Sequence, residues 1–99
     1  GKEGRLDFRK VPVGSTKTQT ITLRNTGSSS TVYAFDTSQL ATGISVAPIR
    51  GRIAPGATED VTVQLRAATA QVVKSTLSCH VRGMRQLLKV QLTAEAKVP

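Results

Sequence analysis

Hydrophobic and polar residues alternate one by one along several stretches of the chain. The alternation is clearest at residues 18–25, where Ile21 and Leu23 share one side and threonines occupy the other. It returns at residues 58–66, directly after the Pro55-Gly56 pair. Successive side chains of a strand point to opposite faces, so this spacing predicts strands with one buried and one exposed face.

Shorter apolar stretches between turn residues predict the remaining strands. The chain opens with a strand around Leu6 and Phe8 that bends at Val11-Pro12-Val13-Gly14, and further strands follow at Val32–Phe35, Ile44–Val46 and Arg50–Ile53. Two final strands complete the set. The first directs Leu77, Cys79 and Val81 inward, and the second directs Leu88, Val90, Leu92 and Ala94 inward. Gly83-Met84 is the expected bend of the last hairpin. Residues 67–70 are expected to form a helical turn. Because proline cannot donate to a central ladder, the Pro12 segment is expected at a sheet edge.

Seven to eight short strands separated by turn residues predict a single all-β domain over residues 1–99. This spacing favours an immunoglobulin-like sandwich of two antiparallel sheets. No stretch is suited to the long helix of a βαβ crossover. The two cysteines and the tryptophan of antibody-type domains are absent, so aliphatic side chains are expected to fill the core.

Cysteine content and hydropathy narrow the class of protein. The single cysteine, Cys79, excludes an internal disulfide and a multi-cysteine metal site, and its apolar neighbours predict an inert buried thiol. The lack of disulfides favours a reducing compartment such as the cytosol. The apolar runs are far shorter than the roughly 20 residues that span a bilayer. We therefore expect no membrane span, and no secretory leader is recognisable.

The chain is strongly basic, with fourteen Lys and Arg against six Asp and Glu, which gives a net charge of +8. This charge favours partners with negative surfaces, although a surface that only confers solubility is the alternative. In the predicted topology Arg82, Arg85 and Lys89 crowd the last hairpin, and they are the candidate partner-binding residues. The predicted opposite end of the sandwich carries a second basic group, made of Lys17, Arg50 and Lys74.

The sequence predicts no catalytic residues, no cofactor and no metal site. His80 is the only histidine, is predicted to face outward, and has no nucleophile motif beside it. The carboxylates show no spacing that would converge on a metal ion, and Asp60 is expected to pair with Arg24 across the sheet. Nucleic-acid binding is disfavoured because the chain has only three aromatic residues, whereas single-strand binders need stacking platforms. Binding to the phosphate backbone of a nucleic-acid duplex through Lys and Arg alone remains an alternative.

One set of spaced residues covers nearly the whole chain. It consists of Leu6-x-Phe8, Val13-Gly14, Ile21-x-Leu23-x-Asn25, Phe35, Ile44-x-Val46-x-Pro48, Gly51, Ile53-x-Pro55-Gly56 and Val61-x-Val63-x-Leu65. This set resembles the pattern of ASH domains, which are similar to major sperm protein domains and to the PapD-like chaperone fold. Two segments depart from that pattern: residues 67–73 lack a Pro and a Gly that members often carry, and Thr93-Ala94-Glu95-Ala96 replaces a common Gly-x-Ala.

The resemblance implies a non-catalytic protein-interaction or targeting module, one domain of a ciliary, flagellar or centrosomal protein. It implies a cytoplasmic, cytoskeletal location and a domain that is monomeric in isolation. The candidate partner is a protein, with tubulin or another acidic cytoskeletal surface as examples. The first alternative is a basic module that binds microtubules or a nucleic-acid backbone.

The second alternative is a module that binds short peptide motifs, as major sperm protein-like relatives bind acidic peptides through a basic face. That peptide site is not transferred to this chain, because residues 34–38 lack the lysines of those relatives and Asp36 would repel an acidic ligand. Addition of an extended peptide to an open sheet edge is a further binding mode that the predicted fold allows.

Overall fold

The computed structural model describes residues 3–83 and 88–98. Those residues form eight strands: β1 (Glu3–Pro12), β2 (Thr16–Arg24), β3 (Thr31–Asp36), β4 (Ile44–Ala47), β5 (Arg50–Ile53), β6 (Thr58–Arg66), β7 (Gln71–Val81) and β8 (Leu88–Lys97). Within this part of the chain, no helix is long and apolar enough to cross a membrane.

The strands form two sheets, as the alternation predicts. One sheet has the order β1-β8-β7-β3-β5 and the other has the order β2-β6-β4. The prediction of an all-β immunoglobulin-like sandwich is therefore confirmed. One pairing departs from purely antiparallel sheets, because β1 runs parallel to β8. A tight turn, in which Ser15 N donates to Pro12 O over 3.0 Å, carries the chain from β1 into the other sheet, so β1 forms no hairpin with its successor.

Aliphatic side chains from both sheets form the core, which also confirms the predicted faces. The cluster contains Phe8, Val11, Tyr33, Phe35, Val46, Ile53, Val61, Val63, Leu65, Val73, Leu77, Cys79, Leu92 and Ala94. Leu88 and Val90 pack against it as partly buried residues. Full burial of one such aliphatic side chain contributes about 1.5–3 kcal/mol, so a core without tryptophan is sufficient to hold the two sheets together.

Asn25 fixes the turn between β2 and β3. Its side chain is only 8% exposed, and its Nδ2 donates to Ser29 O over 2.8 Å and to Ile53 O over 2.9 Å. Its Oδ1 accepts from Gly27 N over 2.9 Å. This side chain therefore bridges the turn, and it also ties that turn to the end of β5.

Two local predictions are wrong. Residues 67–70 form no helical turn; Ala67 is buried, its carbonyl accepts from Gly14 N over 3.0 Å, and β7 begins directly at Gln71. Among the described side chains, Asp60 does not pair with Arg24. The register places Thr22 opposite Asp60, and the Thr22 hydroxyl donates to the Asp60 carboxylate over 2.9 Å.

Candidate protein-binding surface

Two members of the predicted hairpin group, Arg82 and Lys89, lie among the described residues, and they are separated along the sheet. Arg82 lies just after β7, whereas Lys89 lies on β8 opposite Ser78. Ser78 precedes Arg82 by four positions, which corresponds to roughly 13 Å at about 3.3 Å per residue. Arg85 and the Met84 of the expected bend lie outside the described residues; Gly83, with φ of 86°, makes the described part of that bend. Arg82 and Lys89 therefore share the outer face of the sheet but lie about four residues apart along it.

The position predicted for Arg50 is also wrong. It was expected beside Lys17 and Lys74, but β5 pairs with β3 so that Arg50 lies opposite Ala34. Ala34 in turn lies opposite His80 on β7, two positions from Arg82. Arg50 therefore lies on the same sheet face as Arg82, because directly opposed residues share a face.

Three arginines form a group on the outer face of the five-stranded sheet. Arg50, Arg52 and Arg82 are all exposed, and we call them the arginine surface. Arg52 lies opposite Val32 on β3, while Arg82 N donates to Val32 O over 3.0 Å from the other side. Arg52 and Arg82 are thus two strand spacings apart, roughly 10 Å. Residues that are distant in the sequence become a single patch of positive charge.

Small and apolar residues of β3 lie between these arginines. Val32 is half-buried and Ala34 is exposed, and both face outward because Tyr33 and Phe35 fill the core. Arg50 and His80 flank Ala34 just as Arg52 and Arg82 flank Val32. Val32 and Ala34 thus form a short apolar strip, which we call the apolar track, with Arg50 and Arg52 on one side and His80 and Arg82 on the other.

Gly51 lets β5 pass close to the Tyr33 ring beneath the arginine surface. It lies between Arg50 and Arg52 and faces inward, opposite Tyr33. A Cβ atom on Gly51 would lie 2.7 Å from the Tyr33 hydroxyl oxygen, so any larger residue would displace that ring. The Tyr33 ring also makes an edge-on contact with Phe35, with ring centroids 5.8 Å apart. The arginine surface is therefore supported from below by tightly packed aromatic rings.

Asp36 is the acidic residue at the end of this track. It lies opposite Ser78 on β7, and its carboxylate accepts from both the hydroxyl and the backbone N–H of Ser38, over 2.6 Å and 2.9 Å. These hydrogen bonds from Ser38, together with the nearby His80, hold the pKa of Asp36 below its ordinary value of 3.8. Asp36 therefore stays ionised and marks a negative boundary to the track.

The other chemically notable residues stay separate. Within residues 3–83 and 88–98, no three His, Cys, Asp or Glu side chains converge as metal ligands. Cys79 is buried with a free thiol, and burial raises its pKa from the ordinary value of 9.0. Cys79 lies on the inward face, as predicted. Its thiol is therefore part of the core and is not accessible to a ligand.

Sequence reasoning did not select Arg52 as a candidate residue. The local signal was available, because Arg50-Gly51-Arg52 alternates in a strand and directs both arginines to one face. Their approach to Arg82 depends on the pairing of β5 with β3 and of β3 with β7, which no local pattern reports. The candidate surface is therefore a product of sheet topology.

Comparison with solved structures shows the same fold in several proteins. An ASH/PapD-like domain of human CEP192, PapD-like domain 7, superposes with a TM-score of 0.84 at 15% identity, over 99% of this chain and 84% of that one. SSP-19, an MSP-domain protein like family member in Caenorhabditis elegans, superposes with a TM-score of 0.68 at 18% identity, over 86% of this chain and 91% of that one. At these identities the similarity establishes the fold.

A protease is also among the similar structures, but only a part of it matches. Vibrio cholerae VesB protease superposes with a TM-score of 0.71 at 16% identity over 94% of this chain, which corresponds to 30% of VesB. No curated protein sequence matches the chain. The model of the HYDIN/CFA65/VesB-like, Ig-like domain matches residues 3–97. The chain therefore belongs to the family of HYDIN/CFA65/VesB-like immunoglobulin-like domains.

Proposed function

We propose that this chain is a non-catalytic interaction domain that binds an acidic protein surface through Arg50, Arg52 and Arg82. The observation that carries the proposal is the register that places Arg52 and Arg82 on either side of Val32. Arginine side chains form paired hydrogen bonds to carboxylates. Two arginines roughly 10 Å apart across an apolar strip suit an extended acidic segment that lies along β3.

The proposed parent is a ciliary, flagellar or centrosomal protein, with this chain as one of its domains. Membership of the HYDIN/CFA65/VesB-like family and the structural similarity to an ASH/PapD-like domain support this proposal. The match over residues 3–97 supports treating the whole chain as one domain. The corresponding location is cytoplasmic and cytoskeletal, and the tubulin lattice is the first acidic partner to test.

Short acidic peptides are the second class of partner that this surface fits. Two features of the sequence disfavour acidic peptides, namely Asp36 and the lack of lysine in residues 34–38. The arginine surface supplies the missing positive charge from β5 and β7, while Asp36 lies beyond the end of the arginine group. We propose that a peptide with acidic residues flanking an apolar one would bind along Val32 and Ala34.

Microtubule co-sedimentation with two charge-matched variants tests the proposal. R52E/R82E reverses two members of the arginine surface, and R66E/K74E reverses two exposed residues near the other end of the sandwich. We expect the wild-type domain and R66E/K74E to pellet at low salt, and R52E/R82E to stay in the supernatant. Pelleting should weaken as salt rises, because exposed charges are screened beyond about 10 Å at 0.1 M salt.

The same assay distinguishes the alternatives. Equal loss of binding in both double variants would show that net charge, and not the arginine surface, drives association. A larger loss in the charge-matched R85E/K89E than in R52E/R82E would favour the hairpin group that the sequence predicted. If none of the proteins pellets at low salt, tubulin is rejected as the partner.

A further inference from the structure

The four edges of the two sheets differ in how well they are protected against an added strand. The edge of β1 is interrupted by a bulge between Asp7 and Lys10 and ends at Pro12. The β4 and β5 edges are four residues long. The β2 edge is nine residues long, is paired on one side only, and keeps an unbroken register from Thr16 to Arg24. Long regular edges are the ones that accept another strand.

The two halves of β2 are not equally open. In the first half, Lys17 Nζ donates to Phe8 O over 3.3 Å and Gln19 Nε2 donates to Asp7 O over 2.8 Å. These side chains lie between β2 and β1. Over Thr20–Arg24 the structure shows no such contact with a described residue of β1. This second half, which we call the open edge, carries threonine side chains on its outer face and no proline or bulge.

Backbone groups of the open edge point away from the sheet. Asn25 N donates to Ala57 O over 3.0 Å, which continues the β2–β6 register by one residue. In an antiparallel ladder, residues two positions apart direct their backbone groups to the same side. Ile21 and Leu23 therefore bond to β6, whereas the N–H and C=O groups of Thr20, Thr22 and Arg24 point outward. These outward groups could form backbone hydrogen bonds with an added strand.

A cleft opens between the sheets beside this edge. It has a volume of about 230 Å³ and is lined by Thr22, Leu23, Arg24, Thr31, Tyr33, Ile53, Val81 and Leu88. The Tyr33 hydroxyl is buried, and within residues 3–83 and 88–98 it has no hydrogen-bond partner. Burial, and secondarily the negative charge of Glu59, raises the pKa of Tyr33 above its ordinary value of 10.0. The hydroxyl thus keeps its proton, and Tyr33 contributes to the wall of the cleft.

We propose that the open edge of β2 accepts an extended segment of another protein as an added strand, and that one large apolar side chain of this segment fills the cleft beside Tyr33. The volume is sufficient for an aromatic or leucine side chain. Residues opposite Thr20 and Thr22 would be threonine or valine, which pair well across strands, and the residue opposite Arg24 would be acidic.

A second copy of the chain is a poorer occupant of the same edge. The β2 strand of another copy would bring Ile21 and Leu23, but these side chains already pack against the core of their own domain. They cannot also enter the neighbour's cleft. Two chains that each carry a net charge of +8 would also repel one another. The open edge therefore favours a strand from a different protein.

The test uses a short capped peptide in which Thr alternates with Val around one central Phe, with Glu at each end. We expect it to bind the wild-type domain at low and at high salt, with amide shifts in NMR spectra at Thr20–Arg24 and Leu88. Replacement of the central Phe by Ala should weaken binding about tenfold, because it removes the anchor. R52E/R82E should bind this peptide like the wild type, which separates this site from the arginine surface.

Two matched substitutions make the proposal falsifiable. Thr22→Pro removes an outward N–H and should abolish binding, whereas Thr22→Ala loses the same hydroxyl but should retain binding. Tyr33→Phe should leave the urea midpoint of unfolding unchanged or higher, since it removes an unpartnered hydroxyl. It should bind the Phe peptide at least as tightly as the wild type, because the side chain that fills the cleft is apolar. Wild-type binding by T22P would overturn the proposal, as would equal binding of the Phe and Ala peptides or absence of binding. Self-association of the domain that T22P abolishes would assign the edge to a second copy.

Discussion

At the scale of single residues, the chain depends on a few side chains that satisfy several groups at once. Asn25 is the clearest example, since its amide group bonds to Ser29, Ile53 and Gly27 while its backbone bonds to Ala57 and Gly56. A buried polar group that loses its partner costs about 1–3 kcal/mol. Asn25 thus makes a large contribution to the free energy of unfolding, which the alternation of hydrophobic and polar residues does not indicate.

Replacement of Asn25 should therefore be strongly destabilising. We expect N25A to lower the free energy of unfolding by roughly 3 kcal/mol, because two carbonyls and one N–H lose their partner. N25D keeps the acceptor for Gly27 N but directs a carboxylate oxygen at the Ser29 and Ile53 carbonyls, so it should lose at least as much. Urea unfolding of both variants checks this, with the exposed T26A as a control that should change little. An N25A variant as stable as T26A would contradict the structural role of this side chain.

Cys79 should behave as a core residue with a protected thiol. It is 1% exposed, and burial raises its pKa, so the native protein should react with a thiol reagent only at the rate at which it opens. In the unfolded chain the thiol ionises near the ordinary value of 9.0. The contribution of Cys79 to the free energy of unfolding should therefore be constant below that pH and fall as the pH rises above it, because only the unfolded state then releases the proton.

Thiol labelling and urea unfolding at increasing pH measure both effects. C79A should lose stability overall through a small cavity, but its dependence on pH just above 9.0 should be weaker than that of the wild type. Rapid labelling of the native protein, at the rate of the unfolded chain, would show that Cys79 is accessible and would contradict its place in the core.

At the scale of elements, β1 contains the main irregularity of the described sheets. Two residues, Phe8 and Arg9, occupy the space opposite Ala94 alone, and Arg9 has a positive φ of 60°. Its N–H donates to the Asp7 carboxylate over 2.8 Å. A left-handed conformation costs a residue with a side chain about 1–2 kcal/mol. The bulge keeps Phe8 in the core while it turns the rest of the edge away from a regular ladder.

Arg9→Gly should therefore raise the free energy of unfolding by about 0.5–1 kcal/mol, after the larger entropy of glycine in the unfolded chain is subtracted. Arg9→Ala is the matched control, since it removes the same charge but keeps the strained φ, and it should give no gain. Urea unfolding under identical conditions compares the two variants. A loss of stability in R9G would show that the bulge is not strained at this residue.

The elements also show what the sequence can and cannot predict. Alternation located β6 at the predicted residues and β2 to within two residues, because a half-buried strand imposes its period on the sequence. It did not locate the start of β7, because Ala67–Ala70 carries no strong turn residue. The bulge at Arg9 also had no signal, since arginine does not mark a left-handed position as glycine does.

The positions of the candidate binding residues depend on how the strands pair, whereas the positions of the strands depend mainly on the local sequence. The sequence identified Arg82 as a candidate but associated it with Lys89, its neighbour across a predicted hairpin. The structure associates it with Arg52 through Val32. This arrangement spans β5, β3 and the residue after β7 and is set by sheet order, so it could not be predicted from residues near Arg82.

At the scale of the whole molecule, the distribution of charge matters more than its sum. Among the described side chains the structure has one ion pair, Lys97 with Glu95 at 3.3 Å, so most of the net charge of +8 is directed to solvent. On the five-stranded sheet the arginine surface concentrates part of that charge beside an apolar track. Net charge alone favours solubility, whereas a concentrated patch also attracts an acidic partner at close range.

The central claim is that the arginine surface, and not the net charge, binds an acidic protein segment. The most direct test is an NMR titration of the domain with a short peptide of glutamates around one central leucine. We predict amide and guanidinium shifts centred on Arg50, Arg52, Arg82 and the intervening Val32, with little change at Arg66 and Lys74. Shifts of equal size at Arg66 and Lys74 would contradict the account, because they would show that the peptide responds to positive charge anywhere on the molecule.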